Sequence, residues 1–277
     1  MSPTEKNPTR KKYGISDKRL AAFRKKLWRW WSENKREFPW RRTTDPYRIL
    51  VSEITLQQTQ ASRAAIYYER FVARFPDVGT LARARRRSVL ALWRGLGYNR
   101  RAAALHEAAK EIVRRHGGEV PSDREALLAL PGVGSYTAGA VLAFAFNKSA
   151  PTADANIRRV LISEFDLPRD IRDGDVERLA FEMAPRGRAR EWNAAMMDYG
   201  ALVATSRRTG VSPKTKQSKF EGSRRQLRGK VLRALLEEPI DERALRDRFD
   251  DPRLGGVLED MRREGLTTER NGIWRSA

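Results

Sequence analysis

The chain has 277 residues, enough for one large domain or two modest ones with their own cores. Lys and Arg total 56 against 35 Asp and Glu, a formal net charge of +21. The positive electrostatic field of such a charge favours a polyanionic partner. The alternative is an arginine-rich surface that only contacts solvent. The longest apolar stretches, such as Ala138–Phe146, are too short to span a membrane. Nucleic acid is therefore the favoured partner.

The chain contains no cysteine, which excludes disulfides, thiolate zinc sites and cysteine-ligated clusters. Its two histidines, His106 and His116, cannot form a metal centre by themselves, and His106 lies in a helical pattern where a packing role is expected. We therefore expect no cofactor. The first 16 residues are basic and polar without an apolar segment, which predicts a flexible arm and no secretion signal. We further expect a cytoplasmic, nucleoid-associated monomer.

Apolar residues at helical spacing, with almost no strand signals, predict an all-α domain over residues 17–205. The predicted helices are Asp17–Lys35, Tyr47–Thr59, Ser62–Phe75, Val78–Ala84, Arg86–Gly95, Arg100–His116, Asp123–Leu130 and Ser135–Phe146.

Residues 206–223 are polar, basic and dotted with Gly and Pro, as in a linker or a DNA-facing loop. Residues 224–277 follow with three predicted helices, Gln226–Glu237, Glu242–Phe249 and Leu254–Arg263, and two short strands around Asn271–Gly272. Three helices and a strand pair predict a small winged-helix-like domain.

The most specific local feature is Leu130–Gly134, which lies between two predicted helices. Gly132 and Gly134 permit a tight turn and let a phosphate approach amide groups at the start of the second helix. This pattern is typical of a helix-hairpin-helix, which also occurs in ligases, polymerases and nucleases. The alternative is an interhelical turn that binds nothing.

Asp154 follows the hairpin by twenty residues, and its alternative role is that of an ordinary helix cap. A hairpin followed by such an aspartate resembles the helix-hairpin-helix DNA glycosylase superfamily, over roughly Phe23–Thr205. The resemblance implies two helical subdomains that flank an active-site cleft and act on double-stranded DNA with a mispaired or damaged base. It also implies that Asp154 stabilises the cationic sugar, or activates a water, as the glycosidic bond breaks.

Upstream, Phe38–Arg41, Asp45–Tyr47 and Val51–Gln60 resemble the MutY-type adenine glycosylases, whose corresponding run is SE(V/I)MLQQTQ. The resemblance implies that Glu53 is the general acid that protonates the departing adenine, the alternative being a surface carboxylate. Its apolar neighbours would favour a raised pKa.

The resemblance implies further residues around the base and the DNA. The base pocket and DNA wedge comprise Arg36, Trp40, Arg41, Leu56, Gln58, Tyr98, Asn156 and Asp198. Tyr98 matches the intercalating tyrosine of the family, although it could instead be a core residue. The DNA backbone contacts comprise Gly132, Gly134, Arg100 and Arg101.

Tyr136 occupies the position at which bifunctional members carry a lysine nucleophile. Without that amine no Schiff base is expected, which predicts a monofunctional enzyme that leaves an abasic site. Tyrosine at this position occurs in both the adenine and the thymine mismatch branches, so it does not distinguish them.

The chain departs from the family in three places. The usual four cysteines are absent after Trp192–Ala201, where basic residues of 206–220, including Lys214, Lys216 and Lys219, are expected to contact DNA instead. The segment after residue 223 is too short for the C-terminal nudix-like domain that reads 8-oxoguanine in adenine glycosylases, so we do not expect that domain. Asp154 is followed by alanine, as in the thymine branch. Thymine or uracil removal opposite guanine therefore stays open as an alternative, as does a non-catalytic DNA-binding protein.

Overall fold

The computed structural model describes residues 7–212 and 219–277, and they are mostly helical. The helices are α1 (Pro8–Lys12), α2 (Asp17–Asn34), α3 (Pro46–Leu56), α4 (Ala61–Arg74), α5 (Val78–Arg83), α6 (Arg86–Trp93), α7 (Arg100–His116), α8 (Arg124–Leu128), α9 (Ser135–Phe144), α10 (Ala155–Phe165), α11 (Asp173–Met183), α12 (Ala189–Leu202), α13 (Ser206–Thr209), α14 (Arg224–Glu237), α15 (Glu242–Phe249) and α16 (Leu254–Arg263), with a short 3-10 helix at Pro39–Arg42. The predicted helices are confirmed, with ends that differ by a few residues.

The chain divides into two compact units that interleave along the sequence. The first comprises residues 1–50, 122–128 and 133–216, and the second comprises residues 51–121, 129–132 and 217–277. These units are groups of residues that are compact in space, and they are not the same as domains along the sequence. The predicted domain limits at residues 205 and 223 therefore stay a prediction.

The core of the first unit forms around the apolar stripe of α2. Phe23 meets the rings of Phe165, Trp192 and Tyr199 edge-on, with centroids 5.2, 6.1 and 6.3 Å away. Edge-to-face contacts of this kind add to the stabilisation from burial of the rings. The helix begins at a hydroxyl cap, because Ser16 accepts a hydrogen bond from the Arg19 amide.

The prediction of a flexible arm over residues 1–16 is wrong for its second half. Thr9 and Arg10 are buried, and their amides donate to the Glu182 carboxylate at 3.2 and 2.9 Å. A carboxylate near the first-turn amides of α1 stabilises a helix that is too short to form alone. Composition near the N-terminus could not reveal a partner more than 170 residues away.

The C-terminal part of the second unit has the predicted winged-helix-like arrangement. Strands β1 (Ile240–Asp241), β2 (Thr267–Arg270) and β3 (Ile273–Ser276) form an antiparallel sheet in the order β1-β3-β2. Helix α14 contacts β3, α15 contacts β1 and α16 contacts β2. Asn271 and Gly272 both adopt positive φ at the hairpin turn, as a tight two-residue turn requires. Within residues 219–277, β1, two residues long, is the one element that the sequence did not predict.

Each helix within the described ranges falls short of the length or the apolarity that a membrane span requires.

Candidate active site

In the first unit, Asp154 is held at the start of α10. Its Oδ1 accepts hydrogen bonds from the amides of Asn156 and Ile157 at 2.9 and 2.8 Å, and its Oδ2 accepts one from Asn156 Nδ2 at 2.6 Å. Asp154 therefore is a helix cap, as the alternative reading had it. The capping bonds also fix the carboxylate in one orientation, which a catalytic role would require.

The surroundings of Asp154 act on its pKa in opposite directions. Burial of the carboxylate raises the pKa, while the bonds from Ile157 and Asn156 and the charge of Arg159 lower it, and the net effect is a raised pKa. A carboxyl group that holds its proton more readily than usual is typical of functional sites.

Asn156 is itself fixed by the contact between α10 and α12. Its side-chain oxygen accepts a hydrogen bond from Arg159, which also donates to the Gly200 carbonyl at 3.1 Å. A Cβ atom at Gly200 would lie 2.6 Å from the Asn156 carbonyl oxygen, so only glycine permits this approach. The close packing therefore determines where the Asp154 partner lies.

Helix α9 lies against the loop that leads to Asp154. Gly139 packs so tightly there that an added Cβ would overlap the Pro151 carbonyl oxygen and lie 2.7 Å from Thr152 Oγ1. Tyr136, half-buried, stands three residues earlier on the same face of α9. The structure thus brings Tyr136 and the Asp154 loop to one side of the first unit.

Asp198 lies fully buried at 0% exposure between two arginines. Arg41 donates two hydrogen bonds to its carboxylate, of 2.6 and 2.8 Å. Arg36 Nε donates a third at 2.6 Å, and Trp31 Nε1 donates a fourth at 3.1 Å. Burial would raise the pKa of Asp198, but the hydrogen bonds and charges of Arg41 and Arg36 outweigh it and hold the pKa below its usual value.

This buried carboxylate therefore fixes the two arginines, and the place of Asp198 in a base pocket stays a prediction. Trp40, also predicted there, is buried and stacks on Phe38 with ring centroids 4.9 Å apart. Arg36 and Arg41 also lie 5.1 and 5.4 Å from the centre of the Phe38 ring. One packed cluster around Phe38 therefore contains four of the eight residues predicted for the base pocket and wedge: Arg36, Trp40, Arg41 and Asp198.

In the second unit, Glu53 is only 4% exposed and lies between the buried residues Ser52 and Ile54 of α3. It is not a surface carboxylate. Leu56 follows at the end of the helix, where it is half-buried.

Two residues predicted to form the DNA wedge have left-handed backbones. Gln58 has φ +56° and Tyr98 has φ +48°, a conformation that costs a non-glycine residue about 1–2 kcal/mol. Gln58 is exposed and Tyr98 is 38% exposed, so Tyr98 is not a core residue. Exposed side chains on a strained backbone are typical of contact sites.

One arginine bonds to both wedge loops, the two loops that carry Gln58 and Tyr98. Arg101, 7% exposed, donates to the carbonyls of Ile54 and Thr55 at 3.0 Å each and to that of Gln57. On the other side it donates to the Gly97 carbonyl at 3.1 Å, and burial lowers its pKa to about 10.

The predicted phosphate contact of Arg101 is therefore wrong, because its donors are used inside the unit. Its neighbour Arg100 is exposed and lines a cavity of about 460 Å³ together with Gln57 and Gly132. Of the two arginines, only Arg100 is placed to meet a phosphate.

The hairpin glycines adopt the backbone that the motif demands. Gly132 has φ +77° and packs so closely that a Cβ would lie 2.8 Å from the Cβ of Ala104, while Gly134 is extended and caps α9. Of the basic residues expected to replace the cysteine loop, Lys219 is exposed, and Lys214 and Lys216 lie outside the described residues.

Comparison with known proteins identifies the family. Residues 51–186 match the HhH-GPD superfamily of base excision DNA repair proteins. An adenine DNA glycosylase of Mycobacterium tuberculosis is 37% identical over 92% of this chain and 90% of its own length. A thymine/uracil-DNA glycosylase of Methanothermobacter thermautotrophicus is 32% identical over 70% and 89%.

A solved thermostable thymine-DNA glycosylase superposes with a TM-score of 0.63 at 33% identity, over 69% of this chain and 90% of its own. The sequence identity and the superposition both point to the family that the helix-hairpin-helix motif indicates. The chain belongs to the HhH-GPD superfamily of base excision DNA repair proteins.

Proposed function

We propose that this chain, a DNA glycosylase of the HhH-GPD superfamily, excises adenine mispaired with guanine or 8-oxoguanine in double-stranded DNA. The observation that carries the proposal is the buried carboxyl group of Glu53 on α3. Adenine leaves poorly as an anion, so a proton donor shielded from water serves its departure. The relationship to the mycobacterial adenine DNA glycosylase supports the same substrate.

In the proposed reaction the bond between the sugar and adenine breaks, and its electron pair goes to the base. Glu53 gives its proton to a ring nitrogen, so adenine leaves as a neutral molecule. The carboxylate of Asp154 stabilises the positive charge on the sugar, and water then adds to the sugar carbon and loses a proton. An oriented carboxylate in a water-poor site is worth several kcal/mol in this role.

We propose that the enzyme is monofunctional. Tyr136 stands where bifunctional members carry a lysine, and a phenol cannot form the Schiff base that leads to strand cleavage. The product would then be an abasic site in an intact strand.

Removal of thymine or uracil opposite guanine is the second candidate. Ala155 after Asp154 favours it, as do the thymine/uracil relative and the superposed thymine-DNA glycosylase. A non-catalytic DNA-binding protein would need neither Glu53 nor Asp154.

Duplexes with single A·G, A·8-oxoG, T·G and U·G pairs test the substrate, with alkali to cleave abasic sites. Product from the adenine duplexes alone is expected, and product only from T·G or U·G would refute the adenine proposal. Asp154→Asn and Glu53→Gln should each reduce the single-turnover rate at least a hundredfold. Strand cleavage before alkali would contradict a monofunctional enzyme.

We also propose that the enzyme works without an iron–sulfur cluster. The donor set does not fit one, because the chain has no cysteine, and no cluster of metal-ligating side chains occurs within 7–212 and 219–277. Protein contacts order the segment after α12 instead: Thr205 caps α13, and Val211 is buried in the core.

Purified protein should show no iron absorbance. Neutralising Lys214, Lys216 and Lys219 should weaken DNA binding and reduce its salt dependence. Unchanged binding would refute the proposal that these residues contact DNA in place of the cysteine loop.

A further inference from the structure

The C-terminal part of the second unit meets the predicted DNA wedge through one arginine. Arg225, near the start of α14, donates a 3.1 Å hydrogen bond to the Tyr98 phenol oxygen. Its guanidinium lies 5.9 Å from the ring centres of both Tyr98 and Phe220. Phe220 is 56% exposed. Aromatic rings and guanidinium groups at a surface are what nucleic-acid interfaces use to stack on bases and bind phosphates.

The positive charge of this part of the chain is concentrated on the same helix. Helix α14 carries five basic residues and one acidic residue, whereas α15 and α16 together carry five and four. Arg224 and Arg228 pair with Asp260 and Glu264, at the α16 side of the domain. The remaining basic residues of α14 are Arg225, Lys230 and Arg233, and the last two are exposed.

Helix α14 is also fixed relative to the loop that carries Tyr98. Arg87 of α6 donates to the carbonyls of Leu236 and Glu237, at 2.5 and 3.2 Å, where the C-terminal end of the α14 dipole favours a cation. Arg86 donates to the Gly265 carbonyl at 3.0 Å. Because the Tyr98 loop directly follows α6, these bonds hold α14 beside the wedge.

We propose that α14 is a second DNA-contact element, in which Arg225 binds a backbone phosphate beside the point where Tyr98 enters the duplex. Phe220 lies against the same strand and adds apolar contact. The partner is the sugar-phosphate backbone of duplex DNA, so the contact is independent of sequence. The proposal rests on the proposed function only in that Tyr98 meets a duplex.

The test is the salt dependence of binding of the full chain to a fully matched duplex, on which no excision occurs. Each phosphate contact contributes roughly 0.9 to the slope of log Kd against log salt. Arg225→Gln should therefore lower the ratio of Kd values at 0.2 and 0.05 M salt by about 3.5-fold relative to wild type. Arg225→Lys should retain the wild-type slope.

Two further variants identify the source of the effect. Arg243→Gln removes the same charge from exposed α15 and should leave both Kd and slope unchanged. Phe220→Ser should weaken Kd by a similar factor at every salt concentration, because it removes contact area without charge.

An Arg225→Gln slope that equals those of wild type and Arg243→Gln would refute the proposal and leave the domain to a protein partner or a structural role. This outcome is independent of the substrate. If wild type binds duplex with the expected slopes but releases no adenine, the proposed function fails and the α14 contact stands.

Discussion

Arg101→Met removes the side chain that bridges the two wedge loops of the second unit. The guanidinium forms bonds of 3.0–3.1 Å to the carbonyls of Ile54, Thr55 and Gly97. Bonds from a charged donor contribute about 1.5–3 kcal/mol each, so these three sum to roughly 4.5–9 kcal/mol. Burial opposes them, since the fall of the pKa to about 10 corresponds to roughly 3 kcal/mol. We expect a net loss of about 1.5–6 kcal/mol in the free energy of unfolding.

The assay is urea unfolding of wild type, Arg101→Met and Arg100→Met, with tryptophan fluorescence as the signal. Arg100 is a matched control, because it is the adjacent residue of the same helix but is exposed. Its replacement should change stability by less than about 0.5 kcal/mol. It should instead reduce the salt slope of DNA binding by roughly 0.9.

Arg101→Lys refines the prediction. A lysine keeps the charge but offers donors from a single atom, so it cannot reach both loops at once. Intermediate stability is expected. A loss below about 1 kcal/mol for Arg101→Met, or equal losses at both arginines, would refute the bridging role.

Three further predictions concern the first unit and the buried histidine. Gly200→Ala should cost about 1–3 kcal/mol and slow catalysis, because its Cβ would lie 2.6 Å from the Asn156 carbonyl oxygen; Gly174→Ala, with nothing within 4 Å, should be neutral or stabilising in the same thermal melts. Asn156→Ala removes a hydrogen bond that lowers the pKa of Asp154, so the acid limb of the single-turnover rate should move to higher pH; an unmoved limb would argue against Asp154 as the required carboxylate. Burial, followed by Lys110 and Arg86, lowers the pKa of His106 to about 4, so the folded state binds fewer protons than the unfolded state between pH 6.5 and 4. As the pH falls from 6.5 to 4, the free energy of unfolding should decrease by up to about 3 kcal/mol. His106→Gln should flatten this pH dependence in urea titrations.

Residues with a local signal were predictable from the sequence. The apolar stripes gave the helix positions, and the motif around Glu53 placed it on α3, where the structure buries it. The sequence pattern also distinguishes Arg101 from its neighbour Arg100. Arg101 lies four residues before Leu105 and seven before Ala108, both buried, so it belongs to the buried stripe of α7 and Arg100 does not.

Other features depend on partners far away in the chain and had no local signal. Asp198 meets Arg36 and Arg41 across more than 150 residues, and the pattern around Asp198 alone cannot show that its carboxylate is enclosed. The same holds for Arg225 and Tyr98, 127 residues apart. Such pairs are determined by the packing of helices.

Both units hold their functional side chains in place before any DNA is bound. In the first, three hydrogen bonds orient Asp154, so in the proposed reaction no reorganisation of the carboxylate is needed when charge develops on the sugar. In the second, the left-handed backbones of Gln58 and Tyr98 cost about 1–2 kcal/mol each, and the bonds of Arg101 exceed that cost. Displacing a base from the stack costs a few kcal/mol. A wedge that is ordered before DNA binds adds no ordering cost of its own. If Tyr98 acts as the proposed wedge, stability at Arg101 and base displacement at Tyr98 are coupled, and loss of the Arg101 bonds should raise the free energy of base displacement.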